Sequence, residues 1–466
     1  PCRLGPSPTP GSICRAANTS TVKVKLRGLL LSDSTRGAIP YTLTGGSIGQ
    51  FLAAAGSSPA IGAAPPNGVF ADSAFGLAGA VNQDDIAPPG LVVKAASNPL
   101  ALRIGGIDRY QTAARVAAQN GANDSVVLAS GENFPDALSS GYLANQIGGA
   151  SILLTQHNSL PTVTAGAMRT LGTRTVYLVG GTGAIDGSVE AQLKATAAYY
   201  PGGLATVGQA KLQVIRLGGA NRYATNRLVN ERAAEMGRNG ADPINFIYTP
   251  VGRTKIRFRD TGSRTAIFAT GESFADALAA GPATTGTTTG LGNLPLILTP
   301  GKTLSLDALI QIVDLQITTA VIVGGTGAVS AAVSHSINIQ NEGIFVFRLG
   351  GANRYETSAK VADFATALVI PTATVTGGLG FDTAGSATER AYLVTGMDFA
   401  DALAGAPLAG GSGSPILLTY PKTLAAGTKT WLTAHAATYS TVVALGSAGA
   451  VSDATLSAAK AAIATP

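Results

Sequence analysis

Four short sequence blocks recur in the same order three times along this chain of 466 residues. The first block, R-[I/L]-G-G-x-[D/N]-R-Y, occupies Arg103–Tyr110, Arg216–Tyr223 and Arg348–Tyr355. The second contains F-x-D-A-L and occupies Gly131–Leu138, Gly271–Leu278 and Gly396–Leu403. The third is an apolar run at Ser151–Thr155, Pro295–Thr299 and Pro415–Thr419, and the fourth is glycine-rich, at Val179–Asp186, Val323–Ser330 and Leu445–Ser452. Such self-similarity predicts a fold made of three copies of one unit.

Each block indicates a β-strand, a glycine-rich turn and then a helix. Polar residues stand where helix N-caps are expected: Asp108, Asn221 and Asn353 in the first block, Asp136, Asp276 and Asp401 in the second, and Asp186, Ser330 and Ser452 in the fourth. Gln111 and Glu356 follow their caps by three residues, as in a capping box. Alternating strands and helices predict an α/β fold, with about four βα units around a small parallel sheet in each repeat.

The repeats divide the chain into five regions. Residues 1–20 form a leader rich in Pro, Ser and Thr, and residues 21–98 form an N-terminal region of unassigned fold, in which Val22–Leu26 has the alternation of an exposed strand. Repeat one covers 99–212, repeat two 213–344 and repeat three 345–466. Residue 1 is Pro and no basic-then-apolar leader follows, which predicts a processed product.

Composition and motif searches exclude several classes of protein. No apolar run approaches the ~20 residues of a membrane span, so no membrane span is expected. The histidines, His157, His335 and His435, share no metal-ligand spacing, and no complete dinucleotide or phosphate-loop motif occurs. Glu132 and Asp136 are four residues apart, but Met397 breaks this pair in repeat three, so we interpret it as structural. We therefore expect no enzyme, no cofactor and no metal site.

Two features outside the repeated blocks have alternative interpretations. Cys2 and Cys14 are predicted to form a disulfide, which implies an oxidising, extracellular location; two free thiols in a tail are the alternative. Arg253, Lys255, Arg257 and Arg259 alternate with other residues and share one face of a predicted strand. This basic patch is either a solvated edge strand protected by charge or a ligand-binding surface, and its limited aromatic content argues against nucleic acid.

The ordered set of blocks resembles the cell wall binding repeat 2 family, over about residues 101–466. The resemblance implies three Rossmann-like units in a pseudo-threefold triangle that hold S-layer and other surface proteins non-covalently on anionic polymers of Gram-positive walls. The family's Ile-Leu-Leu motif, implicated in anchoring, corresponds to Ile152, Leu153, Leu154, Leu296, Ile297, Leu298, Ile416, Leu417 and Leu418. Repeat three departs from the pattern at Met397, Asp398 and Ser447, which predicts weaker binding or a purely structural role for it.

Arginine and helix N-termini would supply the anion-binding chemistry. Arg109, Arg222 and Arg354 lie beside the first-block caps, and helix N-termini after glycine-rich turns offer free N–H groups to a phosphate or carboxylate. Alternatively, Arg103, Arg216 and Arg348 pair with Asp136, Asp276 and Asp401 and only hold loops together. The Ile-Leu-Leu run itself is typical of a central buried strand, which favours packing over direct contact with a ligand.

Three functions follow from these features. We expect an extracellular cell-surface protein, S-layer-like, held on the wall by three repeats that bind an anionic polymer. The alternative is a self-assembling subunit of a surface layer or filament, a homo-oligomer or lattice in which residues 1–98 form a contact arm; the low content of charged residues, 12%, motivates it. An exported wall hydrolase ranks last, because residues 21–98 contain no histidine.

Overall fold

A computed structural model describes residues 99–199, 211–236, 265–285, 294–340, 343–366 and 390–464, and the backbone of a few short strands elsewhere. The chain divides into two compact units, residues 1–98 and 99–466. In the first unit, β1 (Lys23–Leu26), β2 (Ile39–Thr44) and β3 (Val92–Ala95) form an antiparallel sheet in the order β1-β2-β3. The predicted strand at 22–26 is thereby confirmed, beginning at Lys23.

Within the described residues, the second unit contains three four-stranded parallel sheets. Their strands are β4 (Leu100–Ile104), β5 (Ser125–Ser130), β6 (Ser151–Thr155), β7 (Thr175–Val179), β8 (Gln213–Leu217), β11 (Thr265–Thr270), β12 (Leu296–Thr299), β13 (Thr319–Val323), β14 (Phe345–Leu349), β15 (Arg390–Thr395), β16 (Ile416–Thr419) and β17 (Thr441–Leu445). A separate antiparallel pair joins β9 (Tyr248–Thr249) and β10 (Gly252–Arg253). The sheet orders are β6-β5-β7-β8, β12-β11-β13-β14 and β16-β15-β17-β4.

The fourth strand of every sheet comes from the start of the next repeat. β8 and β14 begin repeats two and three but complete the sheets of repeats one and two, and β4, at the start of repeat one, completes the sheet of repeat three. The three repeats therefore close a ring, and the sheets are offset from the sequence repeats by one strand. Only glycine fits at the position that directly follows β4, β8 and β14. A Cβ on Gly105, Gly218 or Gly350 would lie 2.2, 2.6 or 2.8 Å from the backbone oxygen of Gly446, Gly180 or Gly324.

Helices connect the strands of each sheet. They are α1 (Arg109–Asn120), α2 (Phe134–Ala137), α3 (Ser140–Gln146), α4 (Thr162–Leu171), α5 (Gly187–Ala195), α6 (Arg222–Met236), α7 (Ala275–Ala279), α8 (Gly281–Thr285), α9 (Leu306–Asp314), α10 (Ala331–Asn338), α11 (Arg354–Thr366), α12 (Ala400–Gly411), α13 (Ala426–Ala434) and α14 (Asp453–Ala464).

Helix caps agree with the sequence in two of the three capped blocks. In the first block, the side chains of Asp108, Asn221 and Asn353 accept hydrogen bonds from N–H groups of the first turn. In the fourth block, Asp186, Ser330 and Ser452 do the same. The second-block prediction is wrong: Asp136, Asp276 and Asp401 lie inside the first turn of their helices, because α2, α7 and α12 begin earlier than expected.

The Ile-Leu-Leu strands lie at the edges of their sheets, and the prediction of a central strand is therefore wrong. β6, β12 and β16 each pair with one strand only, and helices α1, α6 and α11 pack against them. Polar groups of two of these helices replace the missing strand: the N–H of Leu298 donates to Asn226 Oδ1, and that of Leu418 to Ser358 Oγ. The covering helices bury the edges and keep them from pairing with other chains.

Three phenylalanines of the second block meet where the repeats converge. The ring centroids of Phe134, Phe274 and Phe399 are 5.4, 6.1 and 6.2 Å apart, in edge-on or tilted orientations that favour aromatic attraction. The same residue of each repeat thus contributes to one small cluster. Together with the cyclic exchange of strands, this cluster confirms the predicted pseudo-threefold arrangement of α/β repeats.

Candidate functional site

Clefts lie between successive repeats, at the carboxyl ends of the parallel strands. In the sheet of repeat one, β5 and β7 are neighbours, and the chain leaves them towards opposite edges of the sheet. Such a switch in strand order opens a crevice at the strand ends, where α/β proteins usually bind ligands. The second-block loop, the fourth-block loop and the first-block loop of the next repeat all meet at this place.

Two of these clefts form open cavities among the described residues. The cleft between repeats one and two, here cleft 1/2, measures about 280 Å³ and is lined by Asn133, Asp136, Gly181, Gly183, Asn221 and Arg222, among others. The cleft between repeats three and one, here the closing cleft, measures about 360 Å³ and is lined by Asp108, Arg109, Asp398, Asp401, Ser447 and Gly449, among others. Each volume is sufficient for a phosphate group or for part of a sugar ring.

The three predicted arginines occupy equivalent places. Arg109, Arg222 and Arg354 are the first residues of α1, α6 and α11, and each donates a hydrogen bond to the backbone oxygen of the glycine that begins its own second block. Each guanidinium also lies 5.6–6.0 Å from the ring centroid of the central phenylalanine of the preceding repeat. These contacts hold each cation in a fixed position, and Arg109 and Arg222 line their clefts.

The second-block aspartates lie near these arginines and contact threonines of the neighbouring repeat. Asp136 and Asp276 accept hydrogen bonds from the hydroxyls of Thr225 and Thr357, each in the next repeat of the ring. Asp401 interacts in the same way with Thr112, whose hydroxyl also donates to the backbone oxygen of Asp108. Burial raises the pKa of all three carboxyls, and the threonine and the nearby arginine partly oppose it.

Asp401 departs furthest from ordinary behaviour. Burial, reinforced by the neighbouring charge of Asp398, raises its pKa to about 6. Protonation of Asp401 near pH 6 therefore changes the charge of the closing cleft.

The threonines are functional positions that sequence reasoning missed. Thr112, Thr225 and Thr357 each accept a hydrogen bond from the second glycine of the first block, at 3.0–3.2 Å, while bonding the aspartate. Their signal was present in the sequence, because all three copies of the first block continue as R-Y-x-T.

The alternative pairing of Arg103, Arg216 and Arg348 with the second-block aspartates is wrong. These arginines donate to the backbone oxygens of Gly446, Gly180 and Gly324, at 2.8–3.0 Å. Arg216 also pairs with Glu190 at 2.6 Å, and Arg103 with Asp453 at 2.9 Å. They brace the glycine-rich loop of the fourth block, since they extend from the strand that pairs beside it.

The Ile-Leu-Leu side chains do not line the clefts. All nine are at most 2% exposed. Because a polymer cannot reach buried side chains, they offer no contact surface in this conformation. A contribution to anchoring by these residues would act through the packing of β6, β12 and β16.

The other residues selected from the sequence have structural surroundings or lie outside the described residues. Glu132 accepts a hydrogen bond from the N–H of His157 at 3.1 Å, and Glu272 accepts one from Gly301 at 3.4 Å. His435 stacks on Trp431, with ring centroids 4.0 Å apart. The side chains of Cys2, Cys14, Arg253, Lys255, Arg257 and Arg259 lie outside the described residues.

The described residues contain neither a metal-ligand cluster nor a membrane-spanning helix. No group of three or more His, Cys, Asp and Glu side chains is placed to hold a metal ion there. None of the helices in that part of the chain is long and apolar enough to cross a membrane.

Comparison with known proteins gives matches over the repeats. The profile of the family described as Cell wall binding domain 2 (CWB2) matches residues 103–190, 216–334 and 348–456. The N-acetylmuramoyl-L-alanine amidase LytC of Bacillus subtilis (strain 168) is 26% identical over 328 residues, which cover 70% of this chain and 52% of the amidase.

Two solved structures share the fold. Cwp8 from Clostridium difficile matches with a TM-score of 0.56 and 22% identity, over 78% of this chain and 51% of that one. Cwp6 from the same organism matches with a TM-score of 0.58 and 20% identity, over 80% and 50%. This chain thus spans about half the length of each relative.

Proposed function

The chain belongs to the Cell wall binding domain 2 family and is a wall-binding protein of the cell surface, and we propose that it binds an anionic wall polymer through the clefts between its repeats. In this proposal the phosphate or carboxylate groups of the polymer pair with Arg222 and Arg354. We expect no catalytic activity from this chain, and we expect the protein to lie outside the cell, bound to the wall.

The observation that carries the proposal is the state of Arg222. Its guanidinium is held by Gly271 and by the ring of Phe134, yet it lines cleft 1/2 and forms no ion pair with any acidic side chain of the described residues. A fixed, partly exposed arginine is suited to bind a phosphate or carboxylate because little further ordering of the side chain is required when the ligand binds. Arg354 has the same two anchors, Gly396 and Phe274.

The backbone adds to this attraction. Arg222 and Arg354 begin helices of 15 and 13 residues, and the positive end of a helix dipole favours an anion. The N-caps of these helices, Asn221 and Asn353, are neutral. The first turn of α6 contains no acidic residue, whereas that of α11 contains Glu356. The N–H of Gly183, in the loop that lines cleft 1/2, has no acceptor among the described residues.

Several weak sites on one chain suit a repetitive polymer. Once one cleft has bound, the next meets polymer at a high local concentration, so avidity exceeds the affinity of a single cleft by ~10²-fold or more. We therefore expect binding that weakens steeply with salt, because it depends on several partly exposed charge pairs.

The test is a pull-down of the chain on isolated cell walls, with intact walls compared to walls stripped of anionic polymers. We expect binding to be lost on stripping, and Arg222→Gln to weaken binding to intact walls about tenfold, the loss of one charged contact. Arg222→Lys, which keeps the charge, is the matched control and should retain most of the binding. Equal retention of the wild type on intact and stripped walls would refute polymer recognition. The variants can be compared with the wild type when they melt near the wild-type temperature.

Self-assembly into a surface layer is a second function, suggested by the low charge of the chain and by its likeness to surface-protein folds. In this case the protein forms ordered sheets without walls, which electron microscopy of the purified chain would reveal. The match to an amidase suggests a third test, a zymogram on cell walls. We expect no lysis; a cleared band would assign hydrolysis to this chain.

A further inference from the structure

The closing cleft and cleft 1/2 share one design but differ in charge. The closing cleft is lined by three carboxylates, those of Asp108, Asp398 and Asp401, and by one guanidinium, that of Arg109. Cleft 1/2 is lined by one carboxylate, that of Asp136, and one guanidinium, that of Arg222. The difference arises at two positions, because Asn221 and Asn133 stand in cleft 1/2 where Asp108 and Asp398 stand in the closing cleft.

The most consequential of these exchanges is Asp398. Its Oδ2 accepts a hydrogen bond from Arg109 Nη2 at 2.9 Å, across the boundary between repeats three and one. Its Oδ1 accepts from the N–H groups of Phe399 and Ala400, at 2.7 and 3.2 Å. The carboxylate thus binds the arginine and two backbone N–H groups at the start of α12 at once, as a bound anion would.

Two further differences also weaken the attraction of the closing cleft for an anion. Asp108, an N-cap with a negative charge, replaces the neutral caps of the other repeats and opposes the positive end of α1. Ser447, which replaces Gly181 of repeat one, accepts a hydrogen bond from the N–H of Gly449 at 3.2 Å. The equivalent N–H in cleft 1/2, that of Gly183, has no such acceptor among the described residues.

We propose that Asp398 is a built-in counter-ion that occupies the anion position of the closing cleft, so that the wall polymer is bound by the two other junctions alone. This inference rests on the proposed function and assigns different roles to its three clefts. Arg109 then serves to hold repeat three against repeat one, whereas Arg222 and Arg354 meet the ligand.

Exchanging the charge between the two clefts tests this assignment. Asp398→Asn installs the residue of repeat one; the asparagine oxygen can still cap the helix, while Arg109 is released. We expect binding to intact walls to strengthen about tenfold, as a third site joins the multivalent contact. The matched exchange, Asn133→Asp, places a carboxylate opposite Arg222 and should weaken binding by a similar factor.

A second set of variants tests the closing cleft without the contribution of the two other junctions. In the double variant Arg222→Gln/Arg354→Gln, the two proposed binding arginines are lost and we expect wall binding to fall to the level of stripped walls. Adding Asp398→Asn to this background should restore part of the binding through Arg109. Arg109→Gln in the wild-type chain should leave binding within about twofold, because its charge is already paired.

The outcomes separate this inference from the proposed function. If the wild type requires the polymer but Arg109→Gln weakens binding as much as Arg222→Gln does, the closing cleft binds and the inference is overturned while the function stands. Unchanged binding in both Asp398→Asn and Asn133→Asp would also overturn it. If stripping the walls has no effect on the wild type, the proposed function itself fails. Melting temperatures near that of the wild type confirm that each variant is folded, and Asn133→Asp alone decides if Asp398→Asn does not fold.

Discussion

The closing junction and the junction between repeats one and two use the same contacts with different chain connections. At the closing junction, the N–H of Gly446 donates to Ile104 and Arg103 donates to Gly446; at junction 1/2, Gly180 and Arg216 make the same bonds, within about 0.1 Å in length. Yet β7 and β8 follow one another in the chain, whereas β4 and β17 lie at opposite ends of the second unit. The motif therefore determines the junction, since equal geometry is reached with or without a direct connection.

The two junctions differ in how their arginines are compensated. Arg216 pairs with Glu190, and both side chains are at most 20% exposed, whereas Arg103 pairs with Asp453, which is 86% exposed. The closing junction adds the pair between Arg109 and Asp398. The closing junction thus has charge pairs both inside its cleft and at its surface, whereas Arg222 of cleft 1/2 forms no ion pair with the described residues.

The largest effect on stability is expected in the buried Ile-Leu-Leu strands, where repeats one and three should behave alike. Leu153→Ala and Leu417→Ala each remove a fully buried side chain from an Ile-Leu-Leu strand, and each should lower the free energy of unfolding by about 2–5 kcal/mol. Denaturant unfolding measures this loss, and wall binding should fall only as the folded fraction falls. A variant that unfolds like the wild type but no longer binds walls would show that these side chains contact the ligand.

The next largest effect is expected in the pH dependence of stability, which should come from the closing junction. The folded pKa of Asp401, about 6, lies above its ordinary value of 3.8, so folding favours the protonated form. This contribution is full below about pH 4 and is lost as the pH rises through 6, which amounts to ~3 kcal/mol.

Melting temperatures between pH 5 and pH 7.5 measure this effect. The wild type should melt at a higher temperature at pH 5, and Asp401→Asn should flatten the curve. Asp398→Asn should move the transition to lower pH, because the second carboxylate no longer raises the pKa. Full pH dependence in Asp401→Asn would place the titrating group elsewhere.

The smallest effect is expected from the bracing arginines and should differ between the junctions. Arg216→Gln breaks a pair that is largely shielded from water and should lower the free energy of unfolding by about 2 kcal/mol. Arg103→Gln breaks a pair with an exposed partner and should change it by less than about 1 kcal/mol. Equal losses in the two variants, measured by denaturant unfolding, would contradict the difference in shielding.

Much of the fold could be predicted because its signals are local. A glycine turn, a capping side chain and an apolar run act within a few residues, so the strands, most caps and the three α/β units followed from the repeated blocks. The pseudo-threefold arrangement was implied by the family resemblance. The second-block caps failed because α2, α7 and α12 begin before their aspartates, at N-cap residues whose side chains make no capping hydrogen bond. The bonds of Asp136, Asp276 and Asp401 to threonines also join different repeats, and no local pattern indicates such partners.

The site was predictable in its parts but not in its arrangement. The sequence selected Arg109, Arg222 and Arg354 from their position beside helix caps, and the structure places each at a junction between repeats. Sequence reasoning also expected repeat three to differ. It could not indicate that Asp398 faces Arg109, because 289 residues separate the two in the chain.

The sequence by itself determined that this protein is a triple α/β repeat, since similar blocks with the same local signals fold alike. Only the tertiary structure decided that β4 completes the sheet of repeat three, and that an edge strand is hidden by a helix of its own repeat. The physical reason is that strand pairing and charge pairing depend on distance in space. Ring closure brings Arg109 to Asp398, and so makes one of three similar clefts different from the others.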